Sequence, residues 1–266
     1  MRSIAGTLVR GFQDAEGGMN RIVCWFSCGA ASAVATKIAI SENAGQLPLV
    51  IAYTEIAEEH PDNKRFLADC ERWFEQPITV LRNEQYGGSI YEVFRRNRFL
   101  VGPSGAACTR ILKRGVREAF EREGDYQVFG FTSEEVERSA DFFERNSHIT
   151  GSAPLIKRGL MKSDCLAMLE DAGIEIPVMY RMGYRNNNCI GCVKGGAGYW
   201  NKIRKDFPQV FARMSMVERD LGRTIIRRNG EQVYLDELPE NMGTHQEEPD
   251  IECSIFCQMA KQEYSA

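Results

Sequence analysis

A Ser27-Cys28-Gly29-Ala30-Ala31-Ser32 turn follows the apolar run Ile22 to Phe26 and leads into an alanine-rich stretch, Ala33 to Ile40. A glycine turn between a strand and a helix aims backbone N–H groups at an anion, and the helix dipole strengthens the attraction. Ser27, Cys28, Gly29 and Ser32 are therefore candidate contacts for a phosphate or sulfate, although a tight connection in which Gly29 only relieves sterics has the same sequence. The second set is sulfur: Cys108 and, well downstream, Cys189-Ile190-Gly191-Cys192. Thiolates gathered from distant segments hold an iron–sulfur cluster, or zinc where a further thiol such as Cys253 or Cys257 completes a tetrahedron. The third is Glu252-Cys253-Ser254-Ile255-Phe256-Cys257, following the polar stretch Pro239 to Asp250. That placement suits a mobile nucleophilic thiol; the Cys-x3-Cys spacing equally suits two side chains docking from one helical face.

The elements that must position these groups alternate. Ile22 to Phe26, Leu49 to Tyr53, Ile78 to Leu81 and Val128 to Phe131 read as buried strands. Asp62 to Phe74, Ile90 to Phe99, Thr109 to Arg122 and Glu134 to Glu144 have helical spacing. The alternation predicts an α/β fold, a parallel twisted sheet with helices on both faces, with ligands at the carboxyl ends of its strands. Beyond Gly151 the pattern changes to a helix near Ser163 to Asp171, the cysteine loop, a helix over Phe207 to Leu221 and a hairpin around Asn229-Gly230. Residues 1–18 read as a disordered tail, 19–150 as the nucleotide-binding core, and 151–266 as a helical and hairpin extension of the same unit that carries a Cys-rich metal site. Cys24, Cys70 and Cys165 fall inside predicted elements and read as core residues.

A chain of 266 residues with 43% hydrophobic content can bury a sizeable core. Its net charge of −4 argues against a broad basic face for nucleic acid. No apolar run is long enough to span a bilayer, so no membrane partner is expected. With no export signal apparent, the nine cysteines are expected to be thiols or metal ligands in a cytoplasmic protein. Trp200 or Tyr199 with Lys202, Arg204 and Lys205 could stack on and neutralise a nucleic acid, although aromatics beside a helix more often pack inward.

The turn resembles the PP-loop of the adenine nucleotide α-hydrolase-like superfamily, usually Ser-Gly-Gly-X-Asp-Ser, matching at Ser27, Gly29 and Ser32 and departing at Cys28 and Ala31. Over most of its length the chain is similar to the phosphoadenosine phosphosulfate reductase family. Tyr53-Thr54-Glu55 stands where Asp-Thr-Gly is common, and Gly130-Phe131-Thr132-Ser133-Glu134-Glu135 resembles a Gly-X-Arg-X-X-Glu-Ser stretch. The resemblance implies nucleotide contacts from Thr54, Lys113 and Arg138, the last two as cations for phosphate or sulfate. Cys108 with Lys113 is similar to the Cys-X-X-X-Lys region of adenylyl-sulfate reductases, which implies a [4Fe-4S] cluster on Cys108, Cys189 and Cys192. Ala107 stands where that family has the first of two adjacent cysteines.

The tail is similar to the family's Glu-Cys-Gly-Leu-His, which implies that Cys253 attacks the sulfur of adenylyl sulfate or its 3′-phospho form, with thioredoxin-like or glutathione-type thiols as reductant. Three-cysteine clusters in related tRNA-thiolating enzymes supply the rival expectation, an ATP-dependent iron–sulfur sulfurtransferase acting on tRNA or DNA, with magnesium accompanying the ATP. The altered loop also fits a catalytically silent nucleotide-binding protein.

Overall fold

The computed structural model describes residues 21–102, 105–228, 230–249 and 251. Its first half runs β1 (Arg21–Phe26), α1 (Ala30–Asn43), β2 (Leu49–Thr54), α2 (Asn63–Phe74), β3 (Ile78–Leu81), α3 (Ile90–Asn97), β4 (Val101–Gly102), β5 (Gly105–Ala106), α4 (Gly115–Phe120) and β6 (Asp125–Val128). There follow α5 (Val136–Arg145), β7 (Thr150–Ser152), α6 (Pro154–Lys157), α7 (Lys162–Asp171), α8 (Val178–Arg181), α9 (Ala197–Asp206), α10 (Pro208–Leu221), β8 (Ile226–Arg228) and β9 (Glu231–Val233). These segregate into two bodies. One holds the described residues up to Thr54 with Pro61–Leu81 and Phe120–Gly183; the other holds Glu55–His60, Arg82–Ala119 and the chain from Tyr184.

The first body is the α/β body that the alternating pattern predicts. Its five strands lie in the order β3-β2-β1-β6-β7, and all four pairings are parallel. Central β1 is buried along its whole length, as expected of a strand covered on both faces. Ile22, Cys24 and Phe26 share one face, toward α1, whose alanines 30, 33, 35 and 39 are all buried. Phe66, Cys70 and Phe74 recur every four residues along α2 and pack on Phe26, whose ring meets Phe74 edge-on with centroids 5.6 Å apart. Cys24, Cys70 and Cys165 are fully buried, and burial pushes the Cys165 thiol up to about 12, so all three behave as core residues.

Two strands depart from the pattern. The expected strand Val128 to Phe131 begins earlier, at Asp125, because its polar residues are paired: Arg21 donates from Nε and Nη2 to the two Asp125 carboxylate oxygens at 2.7 and 2.9 Å, and Gln127 accepts from Trp25 Nε1 at 2.8 Å. Phe129 and Phe131 leave the sheet to pack on Phe142. Strand β7, Thr-Gly-Ser, carries no apolar signal; a Cβ at Gly151 would lie 2.1 Å from the Gln127 carbonyl oxygen, so this edge needs glycine.

In the second body α9 and α10 pack together. The hairpin β8–β9 is present, tied at both ends by Glu218 of α10, whose carboxylate accepts the N–H groups of Ile225 and Leu235 at 2.6 Å each. The expected helix over Thr109 to Arg122 is a π-helical turn, Thr109–Arg114, running into α4. Among the described residues no helix is long and apolar enough to cross a membrane.

Candidate functional site

In the first body the sheet order reverses direction between β1 and β6, so the crevice at their carboxyl ends is where an open α/β sheet binds its ligand. The turn 27–32 lies at the end of β1. Cys28 adopts a left-handed conformation, φ 59°, that turns its side chain into the core, where Sγ is 3.6 Å from the Asn63 carbonyl oxygen. Cys28 can thus offer a ligand its backbone only. Gly29 caps α1 with extended backbone. Ser32 Oγ accepts from the Ser27 N–H at 3.0 Å and the Ser27 hydroxyl at 3.0 Å, and donates to the Gly29 carbonyl at 2.9 Å, which closes the turn. The N–H groups of Ala31 and Ser32, in the first turn of α1, have no acceptor within the helix.

Three neighbours frame this turn. Thr54 ends β2, one residue beyond the pairing of Phe26 with Tyr53; its Oγ1 is buried and has no hydrogen-bond partner among the described residues. Gly130, just past β6, lies so close to α1 that a Cβ there would be 2.7 Å from Ser32 Cα. Tyr180, which no sequence motif marked, brings its hydroxyl to 3.4 Å from the Ala30 N–H, which donates to it. The loop carrying Tyr180 is fixed by Asp62, whose carboxylate pairs with Arg65 and accepts the Val178 N–H at 2.9 Å. Arg138 lies in the same body, paired with the Glu135 carboxylate and 5.5 Å over the Phe131 ring. Thr132 caps the turn before it, in the place where the family stretch has arginine.

Lys113, Cys108, Cys189 and Cys192 belong to the second body, and all four are buried. The Cys-x-x-Cys loop is held from two sides. The Tyr199 hydroxyl accepts the N–H groups of Gly191 and Cys192 at 3.0 Å each and donates to the Cys189 carbonyl at 3.3 Å. The Ile190 N–H donates to the Glu58 carbonyl at 2.9 Å, while the Glu58 carboxylate caps α3 through Ser89 Oγ and the Ile90 N–H. Desolvation, and secondarily Cys192, hold the Tyr199 phenol well above its ordinary range, so it stays a neutral clamp. Burial, above all, and the nearby Glu58 and Cys189 push Tyr91 up to about 12 against the opposing charge of Arg213; its hydroxyl has no hydrogen-bond partner among the described residues.

The glycines around the pair serve protein packing. The Gly191 N–H is taken by Tyr199; a Cβ at Gly195 would strike the Tyr199 ring, at Gly196 the Glu248 carboxylate, and at Gly198 the backbone of Thr244 and His245. They seat the segment 239–251, which the sequence reading left as a polar stretch. Glu248 caps α9 by accepting the Gly198 and Tyr199 N–H groups at 2.6 and 2.9 Å, and Arg185 donates to the carbonyls of Gln246 and Glu248. Asn188 and Asn186 donate from Nδ2 to the Ile251 carbonyl at 2.9 and 3.4 Å.

Thiol donors suit iron–sulfur or zinc chemistry, but among the described residues no three His, Cys, Asp or Glu side chains form a group able to hold a metal ion. Cys253 and Cys257 lie outside the described residues, as do residues 1–18. Tyr199 and Trp200 pack inward, the commoner of the two arrangements considered for them: both rings are buried, Lys202 pairs with Asp206 at 2.9 Å, and Arg204 donates to the carbonyls of Leu235 and Leu238. No family model matches the chain, and no curated protein sequence matches it.

Proposed function

We propose that this chain is a phosphoadenosine phosphosulfate reductase-like enzyme that binds an adenylylated sulfate at the β1–α1 turn and reduces it to sulfite with thiols. One observation carries this reading: the turn closed by Ser27 and Ser32 opens α1 at the reversal point of a parallel sheet, beside the Thr54 hydroxyl, which has no partner among the described residues. A phosphate or sulfate oxygen there takes the N–H groups of Ala31 and Ser32, and Thr54 satisfies its hydroxyl on the same nucleotide. Arg138, in the same body, supplies positive charge. The Cys253 thiolate attacks the sulfate sulfur; the bond from sulfur to the bridging phosphate oxygen breaks, the nucleotide leaves with the electron pair, and Cys253 carries the S-sulfonate. A thioredoxin-like or glutathione-type thiol completes the reduction.

The experiment is titration with adenylyl sulfate, its 3′-phospho form and ATP, followed by sulfite assay with excess thiol. Binding of a sulfonucleotide and sulfite release that a Cys253→Ser variant abolishes are expected. A Cys253→Ser enzyme with full sulfite formation sinks the reading.

A second reading rests on the burial of Cys108, Cys189 and Cys192 within one body: an iron–sulfur sulfurtransferase that thiolates tRNA or DNA with ATP. A cluster would supply sulfur or electron chemistry, but these three thiols, as placed among the described residues, form no group able to hold it and would have to draw together first. Iron with acid-labile sulfide in anaerobically purified protein, and thionucleosides in cells that express it, favour this alternative; zinc alone assigns the loop to scaffolding.

A further inference from the structure

We propose that Tyr180 gates the anion cradle at the β1–α1 turn: its hydroxyl holds the first N–H of α1 in the ligand-free protein and surrenders it to the phosphate or sulfate of the nucleotide. The inference rests on the reading above, in which that turn takes an anion. The Ala30 N–H opens α1, and the acceptor it meets is a phenol from a distant part of the chain, at 3.4 Å. The same oxygen lies against Gly29, where a Cβ would stand 3.2 Å from it, so the capping residue must stay small for the phenol to reach the helix. On the neighbouring strand end, the Thr54 hydroxyl, 8% exposed and without a partner among the described residues, marks the same place as built for a ligand. A helix N-terminus attracts negative charge, which a neutral phenol oxygen does not supply. Its contact with Ala30 is also longer than the usual N–H···O distance of about 2.9–3.0 Å, whereas a bond to a charged oxygen is roughly twice as strong as a neutral one. Exchange therefore runs toward the anion.

The surroundings of Tyr180 confine the movement to its side chain. Asp62, at the start of α2, accepts the Val178 N–H at 2.9 Å, and its partner Arg65 donates to the carbonyls of Glu175 and Ile176 at 2.9 and 3.3 Å. This strap fixes the backbone on which the phenol turns. Lys162 Nζ stands 5.9 Å over the Tyr180 ring, a cation placed beside the gate whose charge favours an anion over a phenol oxygen. The exchange also sets specificity. A ligand with a charged oxygen for Ala30 gains by displacing the phenol, while one that ends in a neutral hydroxyl swaps like for like.

The full-length wild type and a Tyr180→Phe variant with unchanged circular dichroism are titrated calorimetrically with adenylyl sulfate, and with adenosine as the neutral control. Removing the competing hydroxyl should tighten adenylyl sulfate binding roughly fivefold, the size of one hydrogen bond, and bring adenosine no gain. In protein labelled with nitrogen-15 at alanine, the Ala30 amide resonance should differ between the two free proteins and converge once adenylyl sulfate saturates both. Equal or weaker adenylyl sulfate binding by the variant, or an Ala30 difference that persists at saturation, overturns the inference and leaves the nucleotide site standing. A gain shared by adenosine reports altered packing instead of competition and overturns it too. If neither protein binds adenylyl sulfate, the anion site at this turn falls, and the gate with it.

Discussion

The hydroxyl of Tyr199 stands 3.0 Å from the backbone nitrogen of Cys192 and accepts its N–H, inside a site with almost no solvent access. The same oxygen takes the Gly191 N–H, so one phenol satisfies two buried donors. Tyr199→Phe keeps the ring and orphans both amides. Leaving buried donors unsatisfied costs about 1–3 kcal/mol each, so a loss on the order of 2–6 kcal/mol is expected in denaturant unfolding. Amide hydrogen exchange at Gly191 and Cys192 should quicken ahead of the rest of the protein. Unchanged stability and exchange would show that the loop is held by other means.

Thr54 gives the sharpest test of the nucleotide site, because its effects on stability and on binding have opposite signs. Thr54→Val removes a buried hydroxyl that has no partner among the described residues, so the free protein should gain about 1 kcal/mol in stability. Sulfonucleotide affinity should fall roughly five- to tenfold with the loss of one hydrogen bond. A variant that binds as tightly as the wild type in calorimetric titration removes Thr54 from the site.

Gly130 tests the same turn from the opposite strand. In Gly130→Ala the new methyl would stand 2.7 Å from Ser32 Cα and 2.9 Å from Ser32 N, both backbone atoms that cannot swing aside. Overpacking of this kind costs about 1–3 kcal/mol, and the displaced first turn of α1 should weaken nucleotide binding further than the stability loss alone. Thermal unfolding with and without sulfonucleotide reads both effects.

Glu218 makes stability depend on pH. Burial, the leading cause, pushes its carboxyl up to about 7, against the stabilising N–H groups of Ile225 and Leu235 and the charge of Arg219, with Asp236 adding to the rise. The unfolded chain releases this proton near a pKa of about 4.3, so the folded state binds more protons between that value and about 7. The contribution is therefore full below the unfolded pKa and is lost as pH rises through about 7, by roughly 3–4 kcal/mol. Glu218→Gln should be less stable at acid pH, because one amide oxygen must serve two N–H groups, and should lack this slope. Parallel stability curves for the two proteins across that window would refute the assignment.

How far the sequence speaks can be followed residue by residue. β1, β2, β3 and α2 were legible because apolar residues recur at the period of their own element: Ile22, Cys24 and Phe26 by two, Phe66, Cys70 and Phe74 by four. β6 was misplaced because Asp125 and Gln127 are made acceptable inside a sheet by Arg21 and Trp25, partners far away in sequence. The turn 27–32 was found as a turn, whereas the inward rotation of the Cys28 side chain depends on a left-handed φ that a non-glycine residue does not advertise. Tyr180 and Glu248 went unmarked, and Tyr199 was read only as a stacking or packing aromatic, since a lone tyrosine or glutamate acquires its role only from the backbone groups it meets. The crowding of glycines 195, 196 and 198 was the available signal for the segment that covers them.

The position of β1 in the middle of the sheet sets the order in which this protein can assemble. Its neighbour on one side is the adjacent β2, but on the other it is β6, where Asp125 lies 104 positions after its Arg21 partner. On the ribosome the first three strands emerge with one side of β1 unsatisfied, an open hydrogen-bonding rim inviting other chains. Closure waits for nearly half the polypeptide, including segments that belong to the other body. Fragments ending before Asp125 should aggregate, and chaperone engagement should peak while that rim is exposed.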